Sequence, residues 1–434
     1  MSSIAEVKLW GSTIGVVALK DDSVIPSFQY TSDFVKSQIE IAPLTMPLRL
    51  EPYRFPELPR AAFHGLPGLL ADSLPDKFGT ILINAWLMSK GHSPDDFNAV
   101  QRLCYLGTRS TGALEFSPLA GPSETTSQKL QIDTLVRLTS DILSQRGRLS
   151  SIILDRPEAF KQLLLVGTSA GGARAKAVIT WNQTNNEIRS GQDTAPPGFS
   201  YWLLKFDGVT GNKDKESDDT DGYCAIEYAY FLMARDAGIQ MEDCRLFEEN
   251  NRRHFMTRRF DRTSDGGKIH MLSLGAIAHF DFNNPAAHSY EQAFEVMRRL
   301  SLPMEQLEQL FIRMVFNILA RNHDDHVKNT AFLMNRNGEW RLSPAFDITF
   351  SYNPKGMWTS RHQMSMNHKR DGFILQDFHE CGRTISLKQG RAGEILEMVS
   401  KVVSRWPYYA EAAGVATAWV EQIQQAHRNI PDST

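Results

Sequence analysis

The chain has 434 residues, of which 42% are hydrophobic and 22% charged, and this ordinary globular composition excludes wholesale disorder and fibrous repeats. Lysine plus arginine total 47 and aspartate plus glutamate 50, so a net charge of −3 gives no general positive field for nucleic acid or an anionic membrane. The four scattered cysteines suggest neither disulfides nor a thiolate zinc site. Without a signal peptide or an apolar run of about 18 residues, a cytoplasmic location is expected.

The N-terminal region predicts a small domain that contains β-strands. Val7–Leu19 consists of two β-rich runs broken by a Gly-Ser pair, which indicates a hairpin. Gly65–Gly79 opens a helical stretch, with Ser73 or Asp76 as the candidate N-cap. The polar connector Gly121–Ser127 then predicts the end of this domain.

The middle of the chain predicts strands around a glycine-rich loop. Lys161–Trp181 indicates a strand, the loop and a second strand. A further strand carries a single lysine, Lys205, among apolar neighbours. Ala225–Ala237 predicts a helix that carries Glu227, and His254–Arg262 predicts another strand. We therefore expect this region to be β-rich, with one or two helices.

The remainder of the chain predicts mainly helices. From Leu307, apolar residues recur with a helical period, and that helix runs into the polar stretch Arg321–Asn329. A hairpin is predicted next, with its turn at Asn335–Gly338. From about Ala392 the pattern is helical again.

The order of the polar residues matches the parts that a protein kinase needs. Those parts are a glycine loop over the phosphates, a strand lysine, a helix glutamate, a catalytic carboxylate and metal-binding Asn and Asp residues. Asp324 precedes Asn329 by five positions, as in a kinase catalytic loop. The candidates in chain order are the loop 167–172, Lys205, Glu227, Asp324, Asn329 and Asp347.

Each of these signals has a simpler explanation when it is taken alone. A lone strand lysine is usually a surface residue with a buried stem, and Glu227 alone is more often a solvated helix position. The stretch NHDDHVKN is also compatible with a solvated helix terminus, or with His323, Asp324 and His326 as metal ligands of a phosphohydrolase. Because most other histidines stand singly, without HxH or HExxH spacing, we rank the hydrolase second.

Nearly the whole chain resembles the HipA family of bacterial serine/threonine kinases, the toxins of toxin–antitoxin modules. The resemblance lies in GLPGLLADSLPDKFG, LCYLGTRSTGALEF, SAGGARAK, YWLLKF, RRFDR, NHDDHVKN and PAFDI. It implies an α+β fold: a two-lobed protein-kinase-like core with a small N-terminal β-containing cap. We place the cap at residues 1–120, the N-lobe at 130–262 and the mainly helical C-lobe at 263–434.

The resemblance also implies a role for each site residue. Asp324 is the catalytic base, while Asn329 and Asp347 bind Mg²⁺. The ATP-binding residues are Lys205, Lys176, Gly171, Gly172, Glu227 and Phe260. Ser169 is the loop serine that becomes autophosphorylated, with Thr168 as a neighbouring candidate. Asp325 competes with Asp324 as proton acceptor, but only Asp324 has the five-residue interval to Asn329.

The resemblance implies partners as well. These are a small helix-turn-helix antitoxin of the HipB type, which supplies DNA binding, and a protein substrate for which an aminoacyl-tRNA synthetase is the candidate. No membrane is involved. A third hypothesis is a weakly catalytic co-repressor subunit that acts on DNA through its partner, and this role is compatible with kinase activity.

Overall fold

The computed structural model describes residues 3–122, 129–145, 149–168, 172, 174–192, 194–210 and 222–430. The chain forms two compact units. The first unit contains residues 1–221, 247–272 and 334–339, and the second contains 222–246, 273–333 and 340–434. Both units contain helices and strands, as the predicted α+β class requires. The division into cap, N-lobe and C-lobe stays a prediction.

The strands are short and are numbered in chain order: β1 Ser3–Leu9, β2 Ser12–Leu19, β3 Ser27–Tyr30, β4 Leu114–Ser117, β5 Lys176–Asn182, β6 Glu187–Ser190, β7 Ser200–Lys205, β8 Cys244–Glu249, β9 Arg252–Arg258, β10 His270–Ser273, β11 Ala331–Met334 and β12 Trp340–Leu342.

The helices are numbered in the same way: α1 Ser32–Lys36, α2 Arg60–Phe63, α3 Gly68–Ala71, α4 Lys77–Ser89, α5 Ala99–Leu106, α6 Ile132–Ser144, α7 Leu149–Asp155, α8 Pro157–Gly167, α9 Tyr223–Asp236, α10 Leu274–Ala278, α11 Tyr290–Arg299, α12 Met304–Leu319, α13 Leu375–Thr384, α14 Arg391–Val403, α15 Trp406–Ala412 and α16 Thr417–Ala426. None of these described helices is long and apolar enough to cross a membrane.

An N-terminal antiparallel sheet has the strand order β3-β2-β1-β4. The predicted hairpin is confirmed, because β1 pairs with β2 across a turn at Trp10 and Gly11. Both turn residues have positive φ angles, 51° and 86°, which suits the right-handed twist of the flanking strands. The connector predicted at Gly121–Ser127 lies mostly outside the described residues.

A five-stranded sheet has the order β6-β5-β7-β9-β8. The first strand predicted for Lys161–Trp181 is wrong, since residues 157–167 form helix α8. Pro157 occupies the first turn of that helix, where its fixed φ and missing N–H are tolerated. Phe160, Leu163, Leu164 and Val166 are buried. Burial around most of the helix gives a continuous apolar run, and the sequence pattern cannot distinguish such a run from a buried strand.

The expectation of one or two helices between residues 130 and 262 is also wrong. Four helices, α6 to α9, lie among the described residues of that interval. The helix with Glu227 was expected, and α8 replaces the strand discussed above. Helices α6 and α8 pack against each other, and α8 packs against β5, so the helical residues cover apolar faces of the first unit.

The second unit is built around α12, which confirms the helix predicted from Leu307. Its residues from Leu310 to Leu319 are all buried, and it packs against α11 and α14. The helix ends at Leu319, Ala320 is its C-cap, and Arg321 follows with a φ of 57°. This left-handed residue turns the chain out of the helix and into the polar stretch NHDDHVKN. Strands β11 and β12 lie side by side, as the predicted hairpin requires.

Candidate functional site

The polar stretch after α12 folds back on itself as a loop. The side-chain amide of Asn329 donates from Nδ2 to the carbonyl oxygen of Asp324 over 2.8 Å. The backbone N–H of Asn329 donates to the carbonyl of His326 at the same distance, 2.8 Å. Because the amide nitrogen is engaged by a carbonyl, the amide oxygen of Asn329 is the atom that can bind a cation.

Asp325 is a buried acceptor at the centre of a hydrogen-bond network. Its side chain is 1% exposed. It accepts from Tyr290 Oη at 2.7 Å, from His362 Nδ1 at 2.9 Å and from the backbone N–H of Gln363 at 2.7 Å. Asn317 extends the network by donating to Tyr290 Oη over 3.1 Å. A buried carboxylate that accepts hydrogen bonds from three donors holds the loop in place and is not available to a substrate.

Asp324 lies in a different environment from its neighbour. Its side chain is 50% exposed, and its Oδ1 lies 3.7 Å from Nε2 of His326. The carboxylate is therefore accessible to an incoming hydroxyl group, which Asp325 is not. The preference for Asp324 rested only on the five-residue interval, and the difference in burial now supports it independently.

His323 contacts Thr359 and His362. Its Nδ1 donates to the carbonyl of Thr359 over 2.9 Å, and its ring centroid lies 4.1 Å from that of His362. Burial lowers the pKa of His323 far below its usual range, and the positive charges of His362 and Arg428 lower it further. Among the described residues, no three His, Cys, Asp or Glu side chains are grouped so as to hold a metal ion. The phosphohydrolase hypothesis thereby loses its proposed ligand set.

Asp347 lies beyond β12, with a φ of 53° that Asp tolerates better than most residues. Asp347 and Asn329 line the same small pocket in the second unit, together with Asn322 and Arg313. A carboxylate and an amide oxygen at one pocket suit Mg²⁺, which prefers oxygen ligands. The residues present therefore fit the predicted metal.

Lys176 and Lys205 occupy directly opposite positions on β5 and β7. Residues in such register project from the same face of a sheet. Both lysines are buried, with exposures of 2% and 5%, and Lys205 Nζ lies 5.6 Å from the centre of the Phe255 ring. This burial excludes the surface-residue explanation for Lys205. Two buried lysines at opposite positions on adjacent strands are candidates for binding a polyanion such as a triphosphate.

The described part of the glycine loop approaches Lys176. Gly172 has a φ of 99°, and a Cβ atom at this position would lie 2.7 Å from Lys176 Nζ. A larger residue there would displace the ammonium group. Asp76 occupies the N-cap position of α4 but does not cap that helix. Instead, its carboxylate accepts a hydrogen bond from the backbone N–H of Gly172.

The two candidate phosphorylation sites differ in what the structure describes. Ser169 and Gly171 lie outside the described residues. Thr168 is fully buried, its hydroxyl donates to the carbonyl of Leu164 over 2.7 Å, and it accepts from Arg109 over 3.2 Å. A hydroxyl held in this way is not presented to a phosphate donor, which disfavours Thr168.

Phe260 follows β9, next to an ionic cluster that sequence reasoning missed. Asp261 accepts from Arg259 at 2.6 Å, from Arg262 at 2.9 Å and from the backbone N–H of Gly112 at 2.8 Å. Burial alone would raise the pKa of Asp261, but the two arginines hold it well below its usual range. RRFDR and LCYLGTRSTGALEF, two of the motifs that carry the family resemblance, are therefore in contact. Their separation in sequence gave no signal of this.

Glu227 is buried on α9, with an exposure of 2%, so it is not a solvated helix position. A buried carboxylate must have a cation or several donors near it. Its predicted role as the partner of Lys205 stays a prediction.

The residues expected of a protein kinase thus lie in a mixed α+β fold. A family model described as the HipA N-terminal domain matches residues 5–117, and one described as the HipA-like C-terminal domain matches residues 168–406. The second match spans more than half of the chain, and the chain belongs to the HipA family. The expected family and its class of enzyme, the protein kinases, are confirmed.

The chain is also similar to solved structures. HipA of Shewanella oneidensis MR-1, solved with HipB and its operator DNA, is 14% identical with a TM-score of 0.67, and the match covers 97% of this chain and 95% of that chain. This likeness confirms the predicted fold class. The Helicobacter pylori proinflammatory kinase CtkA is 12% identical with a TM-score of 0.33, and the match covers 58% of this chain and 93% of that chain. That likeness is too weak to carry an argument. No curated protein matches the sequence.

Proposed function

We propose that this chain is a cytoplasmic serine/threonine kinase that transfers the γ-phosphate of Mg-ATP to a serine of another protein, as the toxin of a toxin–antitoxin module. The observation that carries this proposal is the loop after α12. It leaves Asp324 half exposed, buries Asp325 in a network, and directs Asn329 to the pocket that Asp347 also lines.

In the proposed reaction, the serine hydroxyl oxygen attacks the γ-phosphorus of ATP. The bond to the oxygen that bridges the β- and γ-phosphates breaks, and ADP leaves with that electron pair. Asp324 accepts the hydroxyl proton. Asn329 and Asp347 would hold Mg²⁺, which supplies charge neutralisation at the phosphates.

The first unit supplies most of the nucleotide-binding residues in this proposal, and Glu227 belongs to the second unit. Lys176 and Lys205 pair with phosphate oxygens, and the backbone at Gly171 and Gly172 covers them. Glu227 is a further ATP-binding residue in this proposal, and the backbone near Phe260 meets the adenine. The buried cross-strand position of the two lysines supports this assignment.

We further propose that Ser169 becomes autophosphorylated. A phosphate there would add about −1.5 to −2 charges to a loop that must accept the anionic phosphates of ATP, so nucleotide binding would weaken. The burial of the competing hydroxyl of Thr168 supports Ser169 as the site. Mass spectrometry of wild type and Asp324→Ala should find this phosphate in wild type only.

The S. oneidensis relative was solved with HipB and operator DNA, which supports a comparable partner here. We propose a helix-turn-helix antitoxin as the partner, with DNA bound through it. The net charge of −3 argues against strong DNA binding by the isolated chain. An aminoacyl-tRNA synthetase is the candidate protein substrate.

The deciding experiment is incubation of the full chain with Mg²⁺, γ-³²P-labelled ATP and cell lysate, followed by identification of labelled proteins. We expect serine-linked label on a small number of proteins with wild type and none with Asp324→Ala. Release of labelled inorganic phosphate without labelled protein would instead indicate a phosphohydrolase. Operator binding with a partner, but no transfer of label, would indicate a co-repressor.

A further inference from the structure

The segment that follows α16 lies against the end of α12, where the loop with Asp324 begins. The backbone N–H of Arg428 donates to the carbonyl of Leu319, the last residue of α12, over 2.9 Å. In the opposite direction, Nε of Arg321 donates to the carbonyl of Ala426 over 2.6 Å. The last carbonyls of a helix have no partner within the helix, and this segment supplies one of the missing donors.

Arg321 adopts a backbone conformation that a bulky side chain rarely takes. Its φ of 57° lies in the left-handed region, where the Cβ atom comes too close to the following carbonyl oxygen. Such a conformation persists only where surrounding contacts enforce it. The Arg321 guanidinium also lies 4.5 Å from the centre of the Tyr352 ring, so the side chain is engaged on two sides. The bond to Ala426 therefore helps to hold the turn that leads from α12 to Asp324.

The next residue of the segment, His427, extends the contact to α9. Tyr230 on α9 is fully buried. Its Oη donates to the carbonyl of Ala320 over 2.6 Å and lies 3.0 Å from Nε2 of His427. Helix α9 also carries Glu227, about one turn before Tyr230. The segment therefore contacts both the helix with Glu227 and the end of the helix that precedes Asp324.

The Arg428 side chain is buried, with an exposure of 8%, and forms an ion pair with Asp371 in which Nη1 and Oδ1 are 2.5 Å apart. Its Cζ atom lies 5.5 Å from the centre of the Phe373 ring. Nε and Nη2 of Arg428 are also buried, and neither has a hydrogen-bond partner among the described residues. A buried cation with two unsatisfied nitrogens costs stability, and proteins tolerate such groups mainly at functional sites.

The ring of Phe373 connects this ion pair with the network around Asp325. The centroids of the Phe373 and His362 rings are 5.7 Å apart. His362 in turn donates to Asp325, and its ring packs against that of His323. A short series of packed side chains therefore links Arg428 to the loop after α12.

We propose that residues 426–428, named here the C-terminal clasp, position the loop that carries Asp324 for phosphate transfer. The ion pair of Arg428 with Asp371 keeps the clasp in place. This inference rests on the proposed kinase function and adds positioning residues to it. Arg428 is a positioning residue, because it acts on Asp324 through other residues. Without the ion pair the loop would sample other positions, and a displacement of the base by about 1 Å lowers the rate of transfer strongly.

The test measures incorporation of label from γ-³²P-labelled ATP by the full chain, with lysate proteins as acceptors, at a series of Mg-ATP concentrations. For Arg428→Gln we expect the maximal rate to fall about tenfold or more, while KM for Mg-ATP changes by less than about threefold. The lysines proposed to bind the phosphates belong to the first unit, and the clasp belongs to the second. The stoichiometry of ATP binding in calorimetry should equal that of wild type, which excludes a loss of folded protein.

Two rescue experiments separate positioning from a general structural defect. Arg428→Lys keeps the charge and should recover much of the maximal rate. Millimolar guanidinium should raise the rate of Arg428→Ala and leave that of wild type unchanged, because the ion can occupy the place of the lost side chain beside Asp371. Absence of rescue in both experiments would indicate a general structural role and overturn the proposal.

A second variant tests the same ion pair from its other side. Asp371 is 45% exposed, so Asp371→Asn serves even if Arg428→Gln fails to fold. It should lower the maximal rate, and the double variant should be no slower than the slower single variant, because both changes remove one interaction. Additive losses would show that the two residues act separately and would overturn the role of the ion pair.

Arg383→Gln is the matched control. Arg383 belongs to the same unit and lies 3.6 Å from Glu380, but its side chain is 68% exposed and its ion pair is on the surface of α13. Its maximal rate and KM should equal those of wild type, since exposed ion pairs contribute little.

The outcomes distinguish the clasp from the proposed function. A maximal rate for folded Arg428→Gln within about twofold of wild type would overturn the clasp alone. A higher KM with an unchanged maximal rate would assign Arg428 to nucleotide binding and also overturn the clasp. Absence of any phosphate transfer by wild type would overturn the kinase function and the clasp with it.

Discussion

In the first unit the candidate site places two lysines opposite each other on neighbouring strands, whereas in the second unit it is built from matched donors and acceptors. Lys176 and Lys205 are both buried, in the region where phosphates are expected to bind. Asp325, Tyr290 and His362 instead satisfy one another in the interior. The first arrangement suits the binding of a ligand, and the second holds a loop in one geometry.

This contrast has consequences for substitution. Removing a charge from the first unit should change mainly the affinity for nucleotide. Removing a partner from the network in the second unit should change mainly stability and the position of Asp324. The exposed residues of the catalytic loop should affect turnover more than either.

The largest effect is expected for Asp324→Ala. Loss of the general base should lower phosphate transfer about a hundredfold or more, while Mg-ATP affinity stays within about tenfold, because the base contacts the acceptor hydroxyl and not the nucleotide. Single-turnover assays and calorimetry measure the two quantities. Asp96→Ala, at an exposed position of the first unit, is the control. Comparable turnover in the Asp324 variant would refute its assignment.

Asp347→Asn should weaken Mg-ATP binding about tenfold and also slow turnover, since it removes a charged oxygen ligand from a cation that prefers carboxylates. Titration of ATP at several Mg²⁺ concentrations measures this effect. If tight ATP binding remains fully Mg²⁺-dependent in the variant, Asp347 is not a principal ligand.

Lys205→Met should lower nucleotide affinity by about tenfold, the scale of one hydrogen bond to a charged group. Lys176→Met should act in the same direction, because the two lysines share one face of the sheet. Lys161→Met, on the exposed surface of α8, is the matched control. Unaltered affinity and turnover in both β-strand variants would show that the lysines do not contact phosphate.

Asp325→Asn tests the matched network of the second unit. An amide would present its NH₂ group to donors that now share a carboxylate, so we expect a loss of about 2 to 3 kcal/mol in the free energy of unfolding. Tyr290→Phe removes one of those donors and should cost less. Glu421→Gln is an exposed acidic control. Denaturant titration measures all three, and a loss in Asp325→Asn no larger than in the control would contradict the assigned role.

A further effect is expected from pH. Burial lowers the pKa of His270 to about 4, below its ordinary value of 6.5. Between these values the unfolded chain binds a proton that the folded first unit does not, so stability falls as pH decreases from about 6.5 towards 4. From pH 7 to 5 the expected loss is about 2 kcal/mol.

Urea unfolding at both pH values measures this loss. His270→Gln should show a smaller pH dependence than wild type, whereas the exposed His92→Gln should behave as wild type does. In the second unit, burial lowers the pKa of His427 to about 3, so the same direction applies there. Equal pH dependence in wild type and His270→Gln would show that His270 does not contribute.

Much of the fold could be predicted from local patterns. The first hairpin needed only two β-rich runs with a Gly-containing turn, and α12 followed from its helical period. The strand predicted before the glycine loop failed because α8 is buried around most of its surface, which hides the period that would have revealed it. The type and order of the candidate site residues could be predicted from the sequence, but their hydrogen-bond partners could not.

The sequence by itself determined the family, the fold class and the order of the candidate site residues, because spacing and element type are local properties. Only the tertiary structure distinguished the environment of Asp325 from that of Asp324. It also showed that the carboxylate of Asp76 accepts from Gly172 and that the carboxylate of Asp261 accepts from Gly112. Burial and hydrogen-bond partners depend on segments distant in sequence. Two adjacent carboxylates can therefore look equivalent in the chain and still have opposite environments in the fold.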